Sequence, residues 1–191
     1  MRLGSLIRSS VKVLAVTAAL LVSMTGARAD ADAARTIGGP LDKALDHFYN
    51  LEYDAAEEEL NARLMDHPED LQALCYLARV SMEREMLRRQ LLEAQAYGKG
   101  GEALGKGRGV VPPELRRKIF EPLDKVELLS KQRLQKNPGD EEALYWQGVS
   151  HVVSAVYFLS LEKSTMQALG EAKEAQKCHL RLLKVNPNYA D

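Results

Sequence analysis

The stretch 96–115, AYGKGGEALGKGRGVVPPEL, sets Gly100, Gly105 and Lys106 at the spacing that opens a phosphate-binding loop. Such a loop works because a tight strand-to-helix turn aims backbone amides inward, where they cradle phosphate oxygens. The surroundings argue against that chemistry. A helical pattern precedes the glycines, Gly107 stands where Ser or Thr would hold magnesium, and Pro112 and Pro113 interrupt the helix that should begin. Residues 98–111 read instead as a Gly-rich loop carrying Lys99, Lys106 and Arg108.

Other chemistry-bearing residues are scattered. The histidines at 47, 67, 151 and 179 are far apart, and they read as packed rings sooner than ligands, although a buried histidine can also sense pH. The carboxylates of DAAEEEL (54–60) read as the solvated face of a helix near its positive end. Cys75 and Cys178 are the only cysteines; they read either as two buried thiols or as a disulfide, and a zinc site would need further nearby ligands. No nucleophile motif surrounds any serine, cysteine or histidine, so neither an enzyme nor a cofactor is expected.

The first 29 residues carry an address. Arg2, Arg8 and Lys12 precede the apolar run VLAVTAALLVSMTG, and Ala27-Arg28-Ala29 offers small residues at the positions read by a signal peptidase. Cleavage is expected between Ala29 and Asp30, since the run is shorter than the roughly 20 residues that span a bilayer. The short, Ala-rich style points to a bacterial periplasm or exterior. Removing Arg2, Arg8, Lys12 and Arg28 takes the stated net charge of −1 to about −5, which argues against nucleic-acid binding. The remaining residues suffice for one domain with a real core.

Beyond a short flexible segment (30–39), apolar residues recur at three- and four-residue steps, and Pro and Gly cut the chain into six helices. The expected spans are roughly 40–51, 53–66, 70–97, 113–136, 140–163 and 165–185, an all-α fold. HPED (67–70) and NPGD (137–140) each put a proline past one helix and an aspartate able to cap the next. LYWQGVSHVVSAVYFLSL (144–161) is apolar on more than one face: Tyr145, Val149, Val152, Val156 and Leu159 form one stripe, Val153, Tyr157 and Leu161 another. A helix of that kind needs covering on several sides. Gln147, Ser150, His151 and Ser154 make it a poor membrane span.

Pro68, Pro138 and Pro187 each close an amphipathic helix, and DLQALCYLA and DEEALYWQG restart alike. Here the chain resembles the tetratricopeptide repeat family, whose unit of about 34 residues is a helix–turn–helix ending at a proline. In the first unit Ala44, Ala56, Leu60 and Pro68 stand at the small, small, large and terminal positions, with EYDAA (52–56) as the turn. In the last, Leu144, Gln147, Gly148 and His151 stand for the family's Trp, Leu, Gly and Tyr, and Ala175, His179 and Pro187 for its Ala, Phe and Pro. The middle unit fits through Leu74, Leu77 and Ala78, with Val126 and Ser130 at the second helix's key positions. The proline spacings, 70 and 49 residues, imply lengthened helices, with 98–111 as an enlarged tip between two of them.

The resemblance implies a helix-hairpin solenoid over 40–191, in units of about 40–68, 70–138 and 140–187, that binds a protein or peptide in a groove lined by the first helix of each unit. It places Arg79, Glu83, Tyr145, Val149 and Val152 on that groove. The alternative expectation is an envelope transport or assembly component enclosing a small apolar ligand near Tyr145, Trp146 and Tyr157. PNYAD resembles the start of a further unit, so the sequence reads as the N-terminal portion of a longer protein; the rival expectation is a partner, including a second copy, over the last helix.

Overall fold

Asp70 and Asp140 cap two helices in the same way, and the fold is built around those starts. Asp70 Oδ1 accepts from the Ala73 amide at 2.9 Å, and Asp140 Oδ1 from the Ala143 amide at 3.0 Å. Each satisfies a donor that the helix itself leaves open. The computed structural model describes residues 41–92 and 110–189. The expected signal peptide, the segment 30–39 and most of the Gly-rich loop, with Lys99, Lys106 and Arg108, lie outside them. The chain divides into two units, Met1–Asp42 and Lys43–Asp191, and only Leu41 and Asp42 of the first are described.

Among the described residues six α-helices follow one another: α1 Asp42–Tyr49, α2 Tyr53–Asp66, α3 Leu71–Arg88, α4 Pro113–Lys136, α5 Glu141–Tyr157 and α6 Thr165–Val185. There is no strand among the described residues. From α2 onward each helix packs on the next, and α3 also packs on α5. No helix among the described residues is long and apolar enough to cross a membrane.

Three helix ends close on a left-handed residue, and none has a glycine to announce it. The third helix stops at Arg88, not near 97. Gln90 adopts a left-handed φ of 59°, the Gln90 amide donates to the Leu87 carbonyl at 2.9 Å, and the Leu91 amide donates to Met86 at 2.8 Å. This closure folds Leu91 back beside Met86 in the core. The first helix ends the same way at Leu51, φ 63°, with Glu52 donating to His47 at 2.9 Å. The fifth widens after Tyr157 into a π turn, Phe158–Glu162, and ends at left-handed Lys163, φ 58°. Pro122 lies inside α4, where it withholds the amide that would reach the Lys118 carbonyl.

Two connected clusters make up much of the core among the described residues. One joins Ala78, Met82 and Met86 of α3 to Ile119 and Leu123 of α4 and to Val153, Tyr157, Phe158 and Leu161. The other joins Leu71, Leu74 and Cys75 to Val126, Leu134, Ala143, Leu144 and Leu182. Val149 packs against both. Helix α5 is therefore covered by α3, α4 and α6. Its first stripe is covered only in part, because Val152 and Leu159 stay exposed.

Candidate binding surface

Aromatic rings from α1, α3, α5 and the end of the chain form one continuous row. Phe48 meets Tyr49 edge-on at 5.2 Å and Tyr76 at 5.3 Å, and the Tyr49 and Tyr76 hydroxyls lie 3.3 Å apart. Tyr76 meets Trp146 at 6.4 Å, Trp146 meets Tyr145 at 5.0 Å, and Tyr145 meets Tyr189 at 5.6 Å. Edge-to-face pairs of this kind add about 0.5–1.5 kcal/mol each beyond the area they bury. Tyr49 is largely exposed, while Tyr76, Tyr145, Trp146 and Tyr189 are half-buried, so the row is anchored from behind yet reaches solvent.

One charge sits in the row. The Arg79 guanidinium lies 4.6 Å from the Phe48 ring centre and 4.9 Å from that of Tyr76, and its Nε donates to Glu83 at 3.0 Å. Burial works against that charge, but the Glu83 carboxylate together with Tyr76 and Tyr49 outweighs it and raises the arginine pKa. Burial, and then the hydrogen bond with Tyr49, pushes the Tyr76 hydroxyl up, so that phenol stays neutral. Tyr53, behind it, is pushed up by burial and by the Glu83 charge, and its hydroxyl has no partner.

Of the five residues expected on the groove, Arg79 and Tyr145 are joined through Tyr76 and Trp146. Glu83 lies one turn beyond Arg79 and ties back to it. Val149 packs half-buried against both core clusters, and Val152 is exposed further along α5. Phe48, Tyr49, Tyr76 and Tyr189 were not singled out by the sequence. Their signal was present: an aromatic residue recurs in the first helix of each expected unit. The aromatics expected around a small apolar ligand are separated, since Tyr157 packs on Phe120 and Phe158 while Tyr145 and Trp146 belong to the row.

The histidines are not simple core rings. His151 Nδ1 lies 2.7 Å from Glu171 on α6, and its Nε2 lies 3.7 Å from Glu127 on α4, so the ring spans both neighbours of α5. Gln147 donates to Glu127 at 2.9 Å and Lys131 lies 2.8 Å from it. Burial alone would raise the Glu127 pKa; hydrogen bonds from Lys131 and Gln147 and the His151 charge hold it below the usual range instead. His47 pairs with Glu52, and His67 is exposed. His179 stacks on Tyr145 at 6.1 Å and presses on Gly148, where an added Cβ would fall 2.2 Å from Nε2.

The two cysteines are not bonded to each other. Cys75 Sγ lies 3.8 Å from the Trp146 carbonyl and Cys178 Sγ lies 3.6 Å from Gln147 Oε1, and burial pushes both thiols up. No group of three or more metal-ligating side chains is assembled among the described residues. Compared with known proteins, the chain matches no family profile, no curated protein and no solved structure.

Proposed function

We propose that the chain is a tetratricopeptide-like binding scaffold of the bacterial cell envelope that holds an extended protein segment along its aromatic row. The observation that carries this reading is the row itself, one file of rings drawn from α1, α3 and α5, the first helices of the three expected units. Aromatic side chains supply large contact area at low entropic cost, which suits them to anchor a partner. Packing of α3 on α5, and of each helix from α2 on its successor, supports a solenoid reading.

The turns support it too. His67 donates to Arg63 at 2.8 Å, Asn137 to Arg133 at 2.8 Å and Asn186 to Leu182 at 2.8 Å, so each expected unit closes on the same backbone geometry. Export rests on the sequence of residues 1–29, with cleavage proposed after Ala29. Self-association through α6, which exposes Met166, Leu169, Leu180 and Leu183, belongs to the same reading.

The test is capture of partners from envelope extract by the purified chain and by a Tyr76→Ala, Trp146→Ala variant of unchanged helix content. A partner retained by the first and lost by the second supports the row. The same set captured by both counts against it.

A further inference from the structure

The aromatic row offers a ligand rings and hydrogen-bond donors, but no free backbone. Tyr76 lies inside α3 and Trp146 inside α5, where the helix already pairs its own amides and carbonyls. An extended segment laid on the row therefore finds no main-chain partner of the kind a sheet edge supplies.

The polar groups of the row are donors. Among the described residues no acceptor meets the Trp146 indole N–H, and that nitrogen is not buried. The Tyr49 and Tyr76 hydroxyls, 3.3 Å apart, need one proton between them, so the other phenol proton stays free to donate. The Arg79 charge is already matched by Glu83 at 3.0 Å, which leaves a charged ligand nothing to complement. Successive ring planes are steeply inclined, 62° between Tyr76 and Trp146 and 83° between Trp146 and Tyr145, so faces and edges alternate along the row.

Those features select the ligand. An ordinary extended segment would press its own N–H groups against aromatic carbon, and each buried donor left unpaired costs about 1–3 kcal/mol. Proline has no N–H to lose, while its carbonyl still accepts from an indole or a phenol. Its compact ring packs against an aromatic face. Proline-rich chain is also largely preformed in solution, so docking it costs little ordering entropy.

We infer that the segment held on the row is proline-rich and uncharged, seated in the polyproline II conformation on Tyr49, Tyr76 and Trp146. This rests on the row being a binding surface and adds the chemistry of what it holds.

Trp146 is the only tryptophan of the chain, so its emission reports the row directly. The full chain is titrated with a blocked peptide of Pro-Pro-Leu repeats, about 12 residues long and roughly 37 Å in polyproline form. Two control peptides carry threonine or alanine in place of every proline, the first extended with its N–H groups restored and the second helix-forming. Saturable change in emission with the proline peptide, and binding weaker by about tenfold or more with both controls, is the expected result. Tyr76→Ala, of unchanged helix content, should weaken the proline peptide by about tenfold, and Met65→Ala, on exposed α2 surface, should leave it unchanged.

Equal binding of either control, no saturable change with the proline peptide, or full binding by Tyr76→Ala overturns the assignment. Capture of partners from envelope extract tells the two failures apart. If the Tyr76→Ala, Trp146→Ala variant loses its partner while the peptides show no preference for proline, the row stands and the proline class falls. If capture is unaffected as well, both fall.

Discussion

Arg133 and Asp140 lie seven residues apart across the α4–α5 turn and are joined by two hydrogen bonds of 2.9 Å. Arg63 and Asp70 stand at the same spacing across the α2–α3 turn, with Nε donating to Oδ2 at 2.9 Å. Each aspartate thus performs two tasks, capping the helix ahead and gripping the helix behind. At the corresponding turn after α6 the two positions hold Leu182 and Tyr189, both packed in the second core cluster. The ion pair there has given way to an apolar one.

Asp140→Ala should therefore cost about 1–2 kcal/mol, the combined loss of a cap and of a charge-assisted bond. Asp70→Ala should cost a similar amount. Urea unfolding monitored by circular dichroism measures both.

The Gly148–His179 approach predicts a second loss. A methyl at 148 would collide with the ring, and the ring cannot swing away without leaving its stack on Tyr145. Gly148→Ala should destabilise by about 1–3 kcal/mol despite the better helix propensity of alanine. Gly170→Ala, where a methyl meets nothing within 4 Å, should stabilise, and the pair separates crowding from propensity in thermal melts.

The left-handed helix ends predict gains. Leu51 and Gln90 occupy a region that costs a side chain about 1–2 kcal/mol and costs glycine little. Leu51→Gly, at an exposed site, should raise Tm by a few degrees, and Gln90→Gly should do likewise without disturbing Leu91.

Glu127 sets an acid limb. Its pKa is lowered in the folded chain, so its contribution is full above the ordinary carboxylate value of about 4.3 and is lost as pH falls through the depressed value. Glu127→Gln should cost about 1 kcal/mol at neutral pH and nothing once both forms are fully protonated. Unfolding curves of both proteins from pH 7 downward should converge at the acid end.

Much of the all-helical reading was legible because Pro68 and Pro138, each followed by a capping aspartate, punctuate strongly periodic helices; α2, α4 and α6 fall on their expected bounds. The early end of α3 was not legible. Its stop is made by Gln90, a residue with no left-handed preference, and by the pull of Leu91 into the core, a tertiary effect. The π turn is hidden for the same reason. The tetratricopeptide resemblance pointed to Arg79 and Tyr145 in the candidate site, but it could not reveal that Tyr49, Tyr76 and Trp146, from three separate helices, would join one row through edge-to-face contacts and a hydroxyl pair. Nor could spacing show His151 between carboxylates of two other helices, since Glu127 and Glu171 are each 20 or more residues away.

The claim that the aromatic row is a binding surface is tested most directly by site-specific photocrosslinking in cells. A photoreactive aromatic residue is placed at Tyr49, at Tyr76 or at Met65, the last an exposed position on α2. Discrete adducts of one protein partner from positions 49 and 76, and none from 65, are the predicted result. No adduct from the row, or the same adducts from all three positions, would contradict it.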